Sequence, residues 1–381
     1  MANDEDASAV STAAGTTTRD LPLRGASNPD ADSFEYVCPR PVLGRITMHN
    51  IVATYHRLLS EDPDLTMPMA AIEALIEFLG HSKVKTVYET IDLVKTQSAK
   101  LQQAVTNPIA LSHGTDLFQQ YLIMSLKQPN APGTPAKGKD KDKDPEGSFE
   151  EVRQHLLRNG RLFAARAKDG RERIAVNARK HIYHDTTILT HGGSRVVGTL
   201  LGRAAEKHDY GHYVDEPIRF SVIYAIDPAL EVESNRVVAA LRAKGVSVAT
   251  VPLGAVSYVM EKVDMVVVGA EAVTADGGVI SRLGSYQIAQ LAKANRRPFF
   301  VAAEQHKFGK TFPLGQFDYS FDQGLLDFHA SKKEEDGEKA RKKPMENPID
   351  YTPPEYIDSF FADHKVVTPI EVAKEVIDML M

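Results

Sequence analysis

Three short stretches of the chain combine glycine, a cation and an acid in ways that suit an anionic ligand bearing hydroxyls. The first is Thr190-His191-Gly192-Gly193-Ser194-Arg195. Adjacent glycines let a backbone approach a ligand closely, and a helix starting there would turn its N-terminus and Arg195 towards a negative charge. The spacing is not G-x-G-x-x-G and lacks the G-K-[ST] of a P-loop, so neither a dinucleotide fingerprint nor nucleotide hydrolysis is indicated. A tight strand–helix turn explains the same glycines, and both readings stand. The second stretch is Gly269-Ala270-Glu271, followed by Asp276-Gly277-Gly278 and Ser281-Arg282-Leu283-Gly284. Glu271 there could accept from hydroxyls while Arg282 holds a phosphate by charge-assisted hydrogen bonds. The plainer reading is a hairpin turn with Glu271 capping the next segment. The third, Glu304-Gln305-His306-Lys307, is a His-Lys pair on a loop, solvated by default and of little weight alone. Ser112, His113, Gly114 and Thr115 fall at the start of a helix in this reading. They could add backbone donors or form an ordinary cap.

All three stretches follow segments that read as buried strands. Apolar runs of strand length occupy residues 186–190, 219–226, 246–252, 264–269 and 298–303, with helical patterns between them at 194–206, 233–243 and 286–294. Alternating strands and helices, with near-continuous Val, Ile and Phe in the strands, predict a parallel sheet covered on both faces. In such sheets ligands bind outside the carboxyl ends of the strands, where the three stretches lie. Ahead of residue 183 the period is helical instead. Ile51, Val52, Tyr55, Leu58 and Leu59 begin it; Ile72, Leu75, Ile76 and Leu79 follow, with Thr66 as N-cap and Gly80 as stop. Further helices are marked by Val87, Ile91, Val94 and Leu101, by Phe118 and Leu122, by Val152, Leu156 and Phe163, and by Ile174, Ala178 and Ile182. The fold class is therefore α/β: an N-terminal helical bundle over 41–183, then a Rossmann-like parallel-sheet domain over 184–381. Residues 1–40, poor in apolar periodicity, read as a mobile tail. Residues 127–148 and 331–347, mixed in charge and punctuated by proline, read as surface insertions.

Composition narrows the function. The 381 residues are 43% hydrophobic and 25% charged, ordinary for a globular protein. With 45 Lys and Arg against 51 Asp and Glu, the chain lacks the basic surplus of a nucleic-acid binder. No apolar run approaches the ~20 residues that span a bilayer, and no signal peptide is evident. One cysteine, Cys38, excludes a disulfide within the chain and a thiolate metal cluster, so a reducing, cytoplasmic setting is expected.

Taken together, the three strand ends resemble a known family. Residues 264–273 through 282–285, then 299–304 and Phe312-Pro313-Leu314, are similar to the regulatory subunits of eukaryotic translation initiation factor 2B. Residues 188–197, 350–354, 367–369 and 70–79 point within that family to the alpha subunit. The family is related to isomerases acting on methylthioribose 1-phosphate and ribose 1,5-bisphosphate. In those enzymes a Cys follows the Thr-His of the first loop and an Asp follows the later Gly-Ala. Here those positions are Gly192 and Glu271, with Arg282 where the enzymes have Lys. Glycine has no side chain to move a proton, and an added methylene disturbs an aligned transfer. The resemblance thus implies a non-catalytic subunit without a cofactor, its relic pocket (His191 to Arg195, Glu271, Arg282) open to a phosphorylated sugar or nucleoside monophosphate. It further implies a homodimer that joins the beta and delta subunits into a decamer and helps sense initiation factor 2 phosphorylated on its alpha subunit. An active aldose–ketose isomerase is the alternative. A NAD-dependent oxidoreductase lacks its fingerprint.

Overall fold

The structure, a computed structural model, describes residues 50–62, 65–82, 84, 86–126, 145–209, 214–319, 321–326, 328 and 347–380. The tail over 1–40, and nearly all of the two expected insertions, lie outside these residues.

The first half is helical: α1 (Ile51–Glu61), α2 (Met67–His81), α3 (Val87–Gln103), α4 (Pro108–Leu126), α5 (Pro145–Lys168) and α6 (Gly170–Ala178). Local chemistry sets several starts. The Asn50 side chain accepts from the Val52 N–H (3.1 Å), and Thr86 Oγ1 accepts from the Glu89 N–H (3.1 Å), with Glu89 at the position a capping box favours. Asn107 accepts from the Ile109 N–H (3.2 Å), and Pro108 opens α4, where a missing N–H carries no penalty. Thr66 occupies the N-cap of α2 as expected, but its side chain makes no capping bond. The sequence of α2 is apolar on nearly every side, so it runs through the middle of the bundle, burying Met69, Ile72, Leu75 and Leu79 against α1, α3, α4 and α5.

The second half runs β1 (Thr186–His191), α7 (Arg195–Ala204), β2 (His208–Asp209), β3 (Val214–Asp215), β4 (Phe220–Ile226), α8 (Glu231–Ala243), β5 (Ser247–Pro252), α9 (Val256–Val259), β6 (Met265–Gly269), β7 (Ala272–Val273), β8 (Val279–Arg282), α10 (Ser285–Ala294), β9 (Phe299–Ala302), β10 (Ile349–Thr352), β11 (Ser359–Phe361), β12 (Val366–Val367) and α11 (Pro369–Leu380). Seven strands form one sheet in the order β12-β11-β9-β6-β1-β4-β5, parallel throughout except for the edge strand β12. Alternate side chains of β6 serve two cores: Val266 and Val268 face α10 and α11, while Met265 and Val267 face α7 and α8. That is the Rossmann-like, helix-covered sheet the apolar runs predict. Although its periodicity continues that of the bundle, α6 packs Ile174, Ala175 and Ala178 into the sheet's second core. The antiparallel sheet β10-β8-β7 stands beside the main one, with β7 and β8 joined through Asp276-Gly277-Gly278 as a hairpin.

Bundle and sheet belong to one compact unit and are tied by polar contacts. The His113 ring on α4 meets the Lys307 carbonyl through Nδ1 (2.8 Å) and Thr311 Oγ1 through Nε2 (2.6 Å). Arg195 donates to the Leu65 carbonyl (3.2 Å), and Lys310 pairs with Asp116 (3.0 Å).

Candidate functional site

From β1 the chain moves to β4 and β5 on one side, then returns to β6 and β9 on the other, so the strand order reverses between β1 and β6. A crevice opens at such a point, at the carboxyl ends of the strands. A cavity of about 330 Å³ occupies it.

The β1 side is built on glycine. Gly192 and Gly193 have φ of +87° and +66°, a left-handed region that disfavours any side chain. This turn brings Ser194 to the N-cap of α7, where its hydroxyl accepts from the Val197 N–H (3.4 Å). The Gly193 N–H donates to the Tyr224 hydroxyl (2.9 Å), so it is already engaged. Burial raises the Tyr224 pKa, keeping the phenol neutral. On β6 a Cβ at Gly269 would stand 2.2 Å from Ser194 Oγ, so the close approach of the two strand ends requires glycine. Glu271 follows, its N–H bonded to the Ile280 carbonyl (2.8 Å), and its carboxylate receives Arg282 Nε at 3.1 Å. Another arm of Arg282 reaches Glu233 on α8 at 3.6 Å. Arg282 packs over the glycine turn: a Cβ at Gly192 would lie 3.2 Å from its Cβ and Cγ.

His191 to Arg195, Glu271 and Arg282 thus line one cavity. Two of them have other tasks. The His191 ring is buried between the Ala225 carbonyl (3.0 Å) and the Leu283 carbonyl (2.9 Å), bracing β4 against the segment before α10. Arg195 reaches the residue ahead of α2, linking the sheet to the bundle. The expectation for Ser112 to Thr115 is corrected: α4 begins at Pro108, so these residues sit in its second turn. Their N–H groups bond carbonyls one turn back, and none of the four lines the cavity. The Asn107-Pro108 start signal was there to be read.

The cavity also takes in residues to which the sequence reading gave no binding role: Glu304 and Lys307, expected on a solvated loop but buried here, and Arg171 and Thr66 of the helical half. Glu304, at the end of β9, has a side chain only 2% exposed, paired with Lys307 Nζ (2.8 Å) and Arg171 Nε of α6 (3.4 Å). Burial alone would raise its pKa, but the charges of Lys307 and Arg171 outweigh that and hold it well below the usual carboxylate range. Position after a sheet strand was the available signal for Glu304 and Lys307; Arg171 and Thr66, which belong to the helical half, had none. Thr66 Oγ1 is buried on the cavity side without a hydrogen-bond partner.

The lining therefore offers Arg171, Arg195, Arg236, Arg282 and Lys307 against Glu233, Glu271 and Glu304. Cations in excess, with a carboxylate suited to hydroxyls, fit a small anionic polyol. Among the described residues no group of His, Cys, Asp and Glu is arranged to hold a metal, and no helix is long and apolar enough to cross a membrane.

Comparison with known proteins identifies relatives of the chain. Residues 60–369 match the model of the initiation factor 2 subunit family. Translation initiation factor eIF2B subunit alpha of Dictyostelium discoideum is 30% identical over 339 residues, covering 86% of this chain and 96% of that one. Ribose 1,5-bisphosphate isomerase of Archaeoglobus fulgidus is 31% identical over 223 residues, 58% of this chain and 66% of the enzyme. A chain of the tetrameric eIF2B-beta2-delta2 complex from C. thermophilum shares the fold, with a TM-score of 0.62 at 19% identity over 87% of this chain and 95% of that one. Matched by the family model over residues 60–369 and by a relative 30% identical along nearly its whole length, the chain belongs to the initiation factor 2 subunit family, among whose relatives are both eIF2B subunits and sugar-phosphate isomerases.

Proposed function

We propose that this chain is a non-catalytic regulatory subunit, in the alpha position, of the exchange factor for translation initiation factor 2. In this reading it is a cytoplasmic homodimer that joins beta and delta subunits and helps sense initiation factor 2 phosphorylated on its alpha subunit. The cavity keeps a phosphorylated sugar or nucleoside monophosphate without converting it. The observation that carries the reading is Gly192. Where the isomerases have a thiol, this chain has a left-handed glycine covered by Arg282, and Arg282 also engages the Glu271 carboxylate. A group that must abstract a proton cannot do so from a position with no side chain.

Assembly draws support from a different part of the molecule. Phe312, Leu314, Phe317, Leu326 and Phe328, between β9 and β10, are all exposed. Large apolar side chains exposed this often along one stretch of chain suit a surface that another chain covers. Obligate interfaces commonly bury more than about 2,000 Å², so the dimer should persist at micromolar concentration.

Two measurements test the reading. Sedimentation of the purified chain should give twice its 41.9 kDa mass, rising further when beta and delta subunits are added. A monomer, or no uptake of those subunits, counts against it. Incubation with methylthioribose 1-phosphate or ribose 1,5-bisphosphate should leave both unchanged. Ketose formation that Glu271→Gln abolishes would replace the proposal with an isomerase.

A further inference from the structure

The 3-10 turn Gln305–Lys307 after β9 separates two cavities. Glu304 and Lys307 line the site described above, whereas Gln305 and His306 line a second cavity of about 240 Å³ on the other side. Leu117, Tyr121 and Met124 of α4 and Phe163 of α5 wall it, with the Tyr121 and Phe163 rings 5.1 Å apart. The volume is below the roughly 300–1,000 Å³ usual for drug-sized ligands, so an occupant must be small.

His306 gives this cavity its chemistry. It is 3% exposed, and neither ring nitrogen has a hydrogen-bond partner. Buried polar groups are almost always paired, so an imidazole bare on both sides asks for a partner. Burial lowers its pKa to about 4, which leaves a neutral ring with one N–H to donate. The surrounding acids already have cationic partners: Glu304 has Lys307 and Arg171, and Asp363 has Arg173 (2.9 Å) as well as the Gln305 N–H (3.1 Å). Arg166 adds a further cation to the lining. An apolar, aromatic chamber with an unpaired imidazole and surplus positive charge selects a planar apolar body with one negative end.

We propose that this cavity is a second ligand site, taking a small aromatic monocarboxylate whose ring lies against Tyr121 and Phe163 and whose carboxylate accepts from His306 and Arg166. The site is independent of the phosphate-binding reading, since Arg282, Glu271 and the glycine turn take no part in it.

Benzoate is the probe, read by calorimetry and by melting temperature on the full-length chain. The parent should bind it in the millimolar range or better and melt higher in its presence; phenol, with the same ring and no charge, should do neither. His306→Phe keeps an aromatic ring, slightly larger, and removes the unpaired nitrogens, so it should lose the benzoate response. Arg166→Ala, an exposed position and the safer variant for folding, should weaken benzoate about tenfold, as loss of one charge-assisted bond implies. Arg282→Ala should leave the response intact. A parent that ignores benzoate at millimolar concentration overturns the site, leaving a water-filled space. A response that survives in both His306→Phe and Arg166→Ala overturns it equally.

Discussion

The cavity between β1 and β6 has two charged walls, and they are held differently. On one, Arg282 lies between Glu271 and Glu233, whose side chains are 27% and 47% exposed. On the other, Glu304 is 2% exposed and enclosed by Lys307 and Arg171. Pairs with this much access to water are worth little more than the ~0–1 kcal/mol of surface pairs and exchange partners more readily than buried ones. A buried acid whose partner is removed is left with an uncompensated charge. The first wall can therefore give up Arg282 at little cost, as the proposed phosphate ligand requires, while the second must stay as built. Burial distinguishes the two.

The strongest way to break this comparison is Lys307→Met. If the Glu304 wall is scaffold, chemical denaturation should show a loss approaching the ~3–5 kcal/mol of a broken buried pair, since only the longer Arg171 contact is left to the carboxylate. A loss under ~1 kcal/mol would mean that the two walls are alike.

A further buried acid, outside the cavity lining, sharpens the point by its opposite sign. Asp350 on β10 accepts from the Gly284 and Tyr286 N–H groups (2.7 and 3.0 Å), capping the start of α10. Burial outweighs those bonds and pushes its pKa up to about 7. The folded chain then holds a proton between about pH 4 and pH 7 that the unfolded chain releases, so this group's contribution to stability falls as pH rises through that window. Glu304, held low, contributes stability that is present above its unfolded pKa of ~4.3 and is lost as pH falls. Asp350→Asn should remove the decline towards pH 7, a change of at most about 4 kcal/mol at 1.36 kcal/mol per pKa unit. Parallel stability–pH curves for parent and variant between pH 4 and 7 would refute the assignment.

The smallest effect on the free protein is expected from Arg282→Ala, under ~1 kcal/mol in denaturation. Its consequence should appear with ligand. A sugar phosphate at ~100 times its dissociation constant stabilises the parent by ~2.7 kcal/mol, and that rise in melting temperature should largely vanish in the variant. An unaltered rise would place the phosphate elsewhere in the cavity.

Much of this molecule was legible in its residues. The runs at 186–190, 219–226, 246–252, 264–269 and 298–303 became β1, β4, β5, β6 and β9 with no end shifted by more than one residue. Long apolar runs and their glycine stops are local signals. The strands β7, β8, β10, β11 and β12, of two to four residues each, are too short to carry a period. Of the site, the β1 and β6 ends could be found because a strand's last residues point to where ligands bind. Ser112 to Thr115 were placed a turn too early because the N-terminal signal at Asn107-Pro108 was passed over.

Sequence by itself determined the elements, the loss of a side chain at Gly192 and the glycine turn between β1 and α7. Those follow from residue type and from neighbours two to four positions away. Only the tertiary structure decided that Arg171 meets Glu304 across 133 residues, that His191 is a brace, and that His306 is buried without a partner. Each of these depends on which groups lose water when the bundle closes on the sheet, and desolvation is a property of the packed whole that no local pattern records.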